Sequence, residues 1–346
     1  VQNGLPTDVS PPDLSNPSYR SNVNGFSEVD LEALNLKLDI NFDQFDLSLM
    51  AATKEQNRDL YWDVGLWLGI YDDVTTILTD WHQDRESDTF EARMVSTGNE
   101  SIEWIAGVWY EKVDGDFPQT WVTQTTRTDL FGGFLNDGDL VFDRDEFTSQ
   151  EELAVYGEVG YRFTDQAKLT LGYRRANLKL DSGLLRADGI FDSASLKASI
   201  GEDESTEEDI NTYKIHFEYT VDEDMLAYAL ASSGYRAGGF NRGGLVTPAS
   251  RYGTDTLWNY EVGVRSSWLD NRLIANAIAY YIDWSDIQLR TWDQDSFAHR
   301  IQNVAKAEIF GIETEIRYHA TEGLILSANY SYTDAALASD YLDEET

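Results

Sequence analysis

Cysteine is absent from this chain of 346 residues, which excludes disulfide staples and thiolate chemistry alike. Proline (6) and methionine (3) are scarce, so neither a proline-rich linker nor a methionine-rich adaptable surface is encoded. Bases are few: 26 Lys and Arg stand against 62 Asp and Glu, a net charge of −36 that repels phosphate and excludes nucleic acid as a partner. No stretch approaches the roughly 20 apolar residues of a membrane-spanning helix. That last absence leaves one membrane class open, because a spanning strand needs only about 10 residues with every second one apolar. The chain begins Val1-Gln2-Asn3-Gly4, with neither an initiator Met nor a signal peptide, and is expected to be a fragment of a longer protein.

What the chain does have is aromatic residues, with 10 Trp, 19 Tyr and 15 Phe, and a persistent alternation. Leu34, Leu36, Leu38 and Ile40 are interleaved with Asn35, Lys37 and Asp39. Ile102, Trp104, Ala106, Val108 and Tyr110 follow the same period of two, as do Leu153, Val155, Gly157, Val159, Tyr161 and Phe163. Clearest is Tyr213, Ile215, Phe217, Tyr219 and Val221, set against Lys214, His216, Glu218 and Thr220. Side chains alternate across a strand, so each segment has one apolar and one polar face.

Connections sharpen this picture. Residues 41–44, 97–101, 164–167, 222–224, 269–272 and 320–323 are short and rich in turn formers, each suited to a tight hairpin. Between them lie long connections at about 54–87, 112–149, 181–208, 235–256 and 284–306. Strict alternation of short and long predicts about twelve strands in six hairpins, and loops beyond about 15 residues are uncommon in compact domains. An all-β, antiparallel up-and-down transmembrane β-barrel explains both features, with short periplasmic turns and long extracellular loops. The long connections also gather negative charge: residues 181–208 hold eight acids against two bases. The expected division is an irregular segment over 1–30 and a partial barrel over 31–346, about twelve strands of a larger barrel. A soluble sandwich array, such as a surface adhesin, is the rival fold; it would hide its apolar faces between two sheets.

Several stretches resemble the barrel of TonB-dependent receptors. These are LWNYEVGVRSSWLDNRLIANAIAYYIDWSDIQL (Leu257–Leu289), NVAKAEIFGIETEIRYHATEGLILSANYSYTDA (Asn303–Ala335), LAVYGEVGYRFTDQAKLTLGYR (Leu153–Arg174) and LAYALASSGYRAGGFN (Leu226–Asn241). FEARMVSTGNESIEWIAGVWY (Phe90–Tyr110) is similar to a lesser degree, so the likeness covers most of the chain from about Phe90 onward. The resemblance implies a 22-stranded barrel with a plugged lumen, in the outer membrane of a Gram-negative bacterium. It implies energised uptake of a scarce ligand such as a ferric siderophore, haem, cobalamin or an oligosaccharide. The TonB–ExbB–ExbD complex would act through a plug domain, and outer-membrane lipid and lipopolysaccharide would surround the barrel. No plug is recognisable ahead of the first strands, and the chain stops at Thr346 inside what reads as an extracellular loop. The chain alone is therefore expected not to be an active transporter. A passive porin is the nearest rival in mechanism.

Few constellations suggest chemistry. His82, His216, His299 and His319 have no metal-ligand spacing, and His216 is expected to line the lumen. Acidic runs at Asp143–Glu146 and Glu207–Asp209 suit either Ca²⁺ or a solvated loop facing lipopolysaccharide. GYRAGGFNRGG, from Gly234 to Gly244, places glycines beside two cations in a very acidic protein. Tyr235, Arg236, Asn241 and Arg242 are candidates for contact with an anionic ligand at the extracellular mouth, since guanidinium pairs bidentately with carboxylate or phosphate. The alternative is a strand end bridged to nearby loop acids. Trp292, with Trp284 and Phe297, offers a ring to stack on a sugar or catecholate, or marks the outer aromatic girdle. No catalytic group and no cofactor is expected.

Overall fold

The computed structural model describes residues 25–63, 75–97, 101–125, 137–188, 203–241, 250–293 and 298–338. Among these residues every regular element is a strand. In chain order they are β1 (Phe26–Asn41), β2 (Phe45–Asp63), β3 (Thr75–Ser96), β4 (Ile102–Asp116), β5 (Gln119–Thr125), β6 (Leu140–Arg162), β7 (Ala167–Asp188) and β8 (Glu204–Asp222). Then follow β9 (Met225–Arg236), β10 (Gly239–Asn241), β11 (Ser250–Tyr252), β12 (Asp255–Trp268), β13 (Leu273–Asp293), β14 (Ala298–Thr321) and β15 (Leu324–Leu337).

Twelve of these form one antiparallel meander, β1-β2-β3-β4-β6-β7-β8-β9-β12-β13-β14-β15. β5 continues the line of β4 between β3 and β6. The break falls at Phe117-Pro118, where proline has no N–H to give the ladder. The Phe117 N–H instead donates to the Glu146 carbonyl at 2.8 Å, and the Pro118 carbonyl accepts from the His82 N–H at 3.0 Å, so pairing survives the kink. β10 and β11 form a separate two-stranded ribbon.

The apolar faces are not hidden. Leu153, Val155, Ile215 and Val262 are 49–57 % exposed, which in a soluble protein would be an unexplained greasy surface. Among the described residues no second sheet covers them, and this overturns the sandwich. Aromatic rings mark both limits of the apolar band. Tyr173, Tyr213, Trp258, Tyr260 and Tyr281 form a continuous collar at one end, with successive centroids 5.5, 6.3, 6.1 and 6.5 Å apart. Phe42–Phe45 (4.7 Å) and Tyr161–Phe163 (4.8 Å) lie at the short-turn end. From Ile102 to Tyr110, or from Leu153 to Tyr161, the interval matches the roughly 9–11 residues of a tilted spanning strand.

Beyond the collar the same strands exchange faces. On β7 the outward series Leu169, Leu171, Tyr173 continues as Arg175, Asn177 and Lys179, while Ala176, Leu178 and Leu180 turn inward and are buried. Ile210 on β8 joins Leu178 and Leu180 in an internal cluster, with Tyr235 and Phe240 packed on it. Outside, Arg175 pairs with Asp209 at 2.7 Å and Asn177 bonds Glu207 at 2.8 Å. This exchange explains why strands extend into the connections expected at 54–87, 112–149, 181–208 and 284–306. β2, β4, β7 and β13 run on to Asp63, Asp116, Asp188 and Asp293, and β3, β6, β8 and β14 begin at Thr75, Leu140, Glu204 and Ala298. β1 likewise begins at Phe26, within the segment 1–30 read as irregular.

The inner face is polar and paired. The Lys214 Nζ donates to both oxygens of Glu158 at 3.0 Å, and Glu103 takes Lys168 at 2.5 Å and Arg162 at 3.3 Å. Three tyrosines lie over glycines of the adjacent strand: Tyr156 over Gly107, Tyr228 over Gly263 and Tyr280 over Gly311. A Cβ at any of these glycines would collide with the ring, so the glycine makes room for an aromatic that covers the exposed backbone. The Tyr156 and Tyr228 hydroxyls donate to Glu91 and Glu261, each at 2.5 Å.

Candidate ligand-binding site

The mouth beyond the collar is shaped by the connection from β9 to β12. β8 and β9 pair only as far as Lys214↔Ser232. Beyond that the Tyr213 N–H donates to the Ser233 hydroxyl at 2.8 Å, and β9 leaves its neighbour. Tyr235 thereby packs against Leu178, Leu180 and Ile210 on the inner side of the wall. Burial, with Glu152 adding its negative charge, pushes the Tyr235 phenol up to about 12.

Arg236, about half exposed, is held through one edge of its guanidinium. Its Nε and Nη2 donate to Asp255 Oδ2 at 3.0 and 2.5 Å, its Nη2 also reaches the Gln288 carbonyl at 2.9 Å, and its guanidinium lies 5.2 Å over the Trp284 ring. Asp255 is only 1 % exposed and accepts a further bond from the Gln288 N–H at 3.0 Å. The β12–β13 ladder ends at Thr256↔Ser285. The Arg236–Asp255 pair therefore serves the backbone of Gln288 as a strand would, supplying one donor and one acceptor where β12 has stopped.

Asn241 repeats the device. Its Nδ2 donates to the Ile301 carbonyl at 2.7 Å and its Oδ1 accepts from the Ile301 N–H at 2.6 Å. Ile301 lies past the last β14–β15 pair, Ala307↔Leu337, so a side-chain amide takes the place of a neighbouring strand. Asn303 binds Gly253 in the same reciprocal manner, at 2.6 and 2.9 Å. Arg251 pairs with Glu208, which ties the ribbon to β8.

The expected ligand contacts are thus partly gathered. Tyr235, Arg236 and Asn241 share this rim. Arg242 and Phe297 lie outside the described residues. Trp292 sits in β13 with its backbone opposite His299, and its side chain lies outside the description. Trp284 faces inward, packed on Ile287, Ala305 and Ala307, rather than outward in the girdle. Asp255 and Gln288 escaped the sequence reading, because single polar residues at a strand end carry no pattern. His216 lies on the inner face, edge-on to Tyr228 at 5.6 Å. The run Glu207–Asp209 is split by the strand: Glu207 and Asp209 bond Asn177 and Arg175 outside, and Glu208 bonds Arg251 and Thr254 inside.

An antiparallel meander with an apolar outside, an ion-paired inside and two aromatic belts defines an outer-membrane β-barrel. A family model for the "TonB dependent receptor-like, beta-barrel" matches residues 2–345, and the chain belongs to that family. Its place is the outer membrane of a Gram-negative bacterium. Among solved structures, the chain is similar to the ferric yersiniabactin uptake receptor of Yersinia pestis, with 16 % identity, a TM-score of 0.71, and 91 % of this chain and 44 % of that one covered. It is also similar to the ferric preacinetobactin receptor of Acinetobacter baumannii (13 %, TM-score 0.62, 92 % and 47 % covered). A third likeness is to the pyoverdine outer-membrane receptor of Pseudomonas aeruginosa (15 %, TM-score 0.62, 94 % and 48 % covered). The chain spans less than half the length of each of these receptors.

Proposed function

We propose that this barrel belongs to a receptor that binds a scarce ligand of the ferric siderophore class at its outer mouth and imports it with energy from the TonB–ExbB–ExbD complex through a plug domain. The carrying observation is the rim itself: Tyr235, Arg236 and Asn241 converge inside the wall beyond the collar, on a barrel whose family comprises transport receptors. The solved relatives named above are receptors for ferric yersiniabactin, ferric preacinetobactin and pyoverdine, which favours an iron chelate over haem, cobalamin or an oligosaccharide. The five long connections face outward and the six short turns inward, with the charged outer face of β7 and β8 at the level of lipid headgroups and lipopolysaccharide. Tyr235, Arg236, Asn241, Arg242 and Trp292 border the ligand, Arg236 and Asn241 acting chiefly by holding the rim.

Titration of ferric chelates against the receptor carrying this chain tests the reading. Tyr235→Ala and Arg242→Ala should each weaken binding by about tenfold or more, or roughly 1.4 kcal/mol. Unchanged affinity in both would remove these residues from the site. Steady ion conductance through a planar bilayer without any chelate binding would instead assign the barrel to the passive porins.

A further inference from the structure

One side chain at the mouth bonds main chain on both sides of the β10–β11 ribbon. β13 is interrupted just past the collar by a bulge between Trp284 and Ile287, where Asp286 takes a positive φ of 56°. A non-glycine residue in that region is uncommon and needs support from its surroundings. Bulges of this kind re-aim the side chains that follow them. A second register shift between Ile287 and Gln288 cancels the first, so Gln288 resumes the inward register of Trp284 directly after the bulge. Its Nε2 donates to the carbonyls of Arg236 (3.2 Å), Ala237 (2.8 Å) and Gly253 (3.0 Å). Its own backbone N–H and carbonyl are held by Asp255 and Arg236. One residue on β13 thus grips both limbs of the β9–β12 connection.

Three features single this residue out from a generic rim contact. The acceptors are main-chain carbonyls, so only a donor serves there. The two limbs come from either side of the β10–β11 ribbon, which shares no backbone ladder with the barrel wall. Gly238 lies against the opposite limb so closely that a Cβ would stand 2.7 Å from the Tyr252 carbonyl oxygen, so the limbs approach to backbone contact at the level of Gln288.

We infer that Gln288 is the positioning residue of the mouth, fixing the separation of the Arg236–Ala237 and Gly253 limbs and thereby the placing of Tyr235 and Asn241. The inference rests on the reading that this mouth receives the ligand, although its structural half stands apart from it. Gln288 itself touches no ligand.

Hydrogen exchange on the full chain in detergent tests the structural half. Gln288→Met keeps length and removes the donor; Gln288→Glu keeps shape and presents an acceptor to three carbonyls. Both should speed exchange over residues 236–241 and 252–255 by at least about tenfold, leaving the β12–β13 ladder below the collar protected. As pH falls from about 7 to 4, Gln288→Glu should regain protection relative to the parent at the same pH, because a protonated carboxyl donates again. Gln288→Met should not. Unchanged exchange in Gln288→Met, or no recovery in Gln288→Glu, overturns the inference. In the receptor carrying this chain, ferric tris-catecholate and ferric trihydroxamate are the probes. For whichever of them the parent binds, Gln288→Met should weaken binding by about tenfold; equal affinity also overturns the inference. If the parent binds neither probe, the functional reading fails, and the exchange experiment still decides the role of Gln288.

Discussion

Below the aromatic collar and above it, the same strands solve opposite problems. In the lower zone Leu171 and Val155 stand outward at 52 % and 55 % exposure, and the inside is a wall of ion pairs. In the upper zone Leu178 stands inward at 1 % exposure, and the outside carries Arg175, Asn177 and Lys179. Along β7 the ladders to β6 and β8 run on through the collar, and only the surroundings change, from hydrocarbon outside to water outside. Apolar side chains follow whichever side excludes water. Tyr173 and Tyr213 mark the crossing, where the Tyr173 hydroxyl reaches Asn211 at 2.6 Å while its ring lies with the collar. The lower zone is stabilised by lipid, the upper by a small core of its own.

That contrast can be broken most forcefully at Leu178. Leu178→Ala leaves a cavity in a closed cluster and should cost about 2–5 kcal/mol. Leu171→Ala, seven positions away on the same strand, should cost less than about 1 kcal/mol, because lipid tails fill the space that a protein core cannot. Folding into lipid vesicles, followed by denaturant titration, compares the two, and equal losses would mean that the upper cluster is no core. A charge probes the outer face. Val262→Arg, midway between Trp258 and Trp268, should cost about 2–4 kcal/mol, whereas Asn211→Arg, just past the collar, should cost about 0–1 kcal/mol. A similar penalty at both would place hydrocarbon higher than the collar.

The smallest effect lies at His82, well above the collar on β3. The hydrogen bond that its Nδ1 donates to Asp59 at 2.5 Å raises its pKa, with burial opposing and Asp80 adding to the rise. A raised folded pKa stabilises the β2–β3 extension fully below the unfolded value of about 6.5, and the contribution disappears as pH rises through the folded value. Since the pair is half exposed, no more than about 0.5–1 kcal/mol is at stake. Protection at residues 57–63, corrected for the intrinsic exchange rate at each pH, should therefore fall between neutral and mildly alkaline pH, and Asp59→Asn should remove most of that fall, leaving the smaller share due to Asp80.

This exchange of faces also decides how much of the fold was legible. The lower strands announce themselves by period two, and the six tight turns by their composition. Above the collar the period persists but its phase slips by one residue, from odd Leu169, Leu171 and Tyr173 to even Ala176, Leu178 and Leu180. Read along one phase, the strand looks finished there, which is why 54–87, 112–149, 181–208 and 284–306 read as loops. The mouth was legible in part. GYRAGGFN is conspicuous by its glycines and cations, and it does lie at the rim. Asp255, Gln288, Asn303 and Ile301 are brought to it by pairing across 19 to 60 residues of chain, a relation that no local pattern encodes.

Tyr156, Tyr228 and Tyr280 alter the bore of the channel. A tyrosine standing on end would project into the lumen like a peg. Laid across a glycine, it becomes a tile, with its hydroxyl tied to Glu91, Glu261 or Thr333 along the wall. At these rungs the wall gains an aromatic surface without giving up the width of a side chain, and whatever fills or passes through the lumen slides past a flat, polar-edged lining.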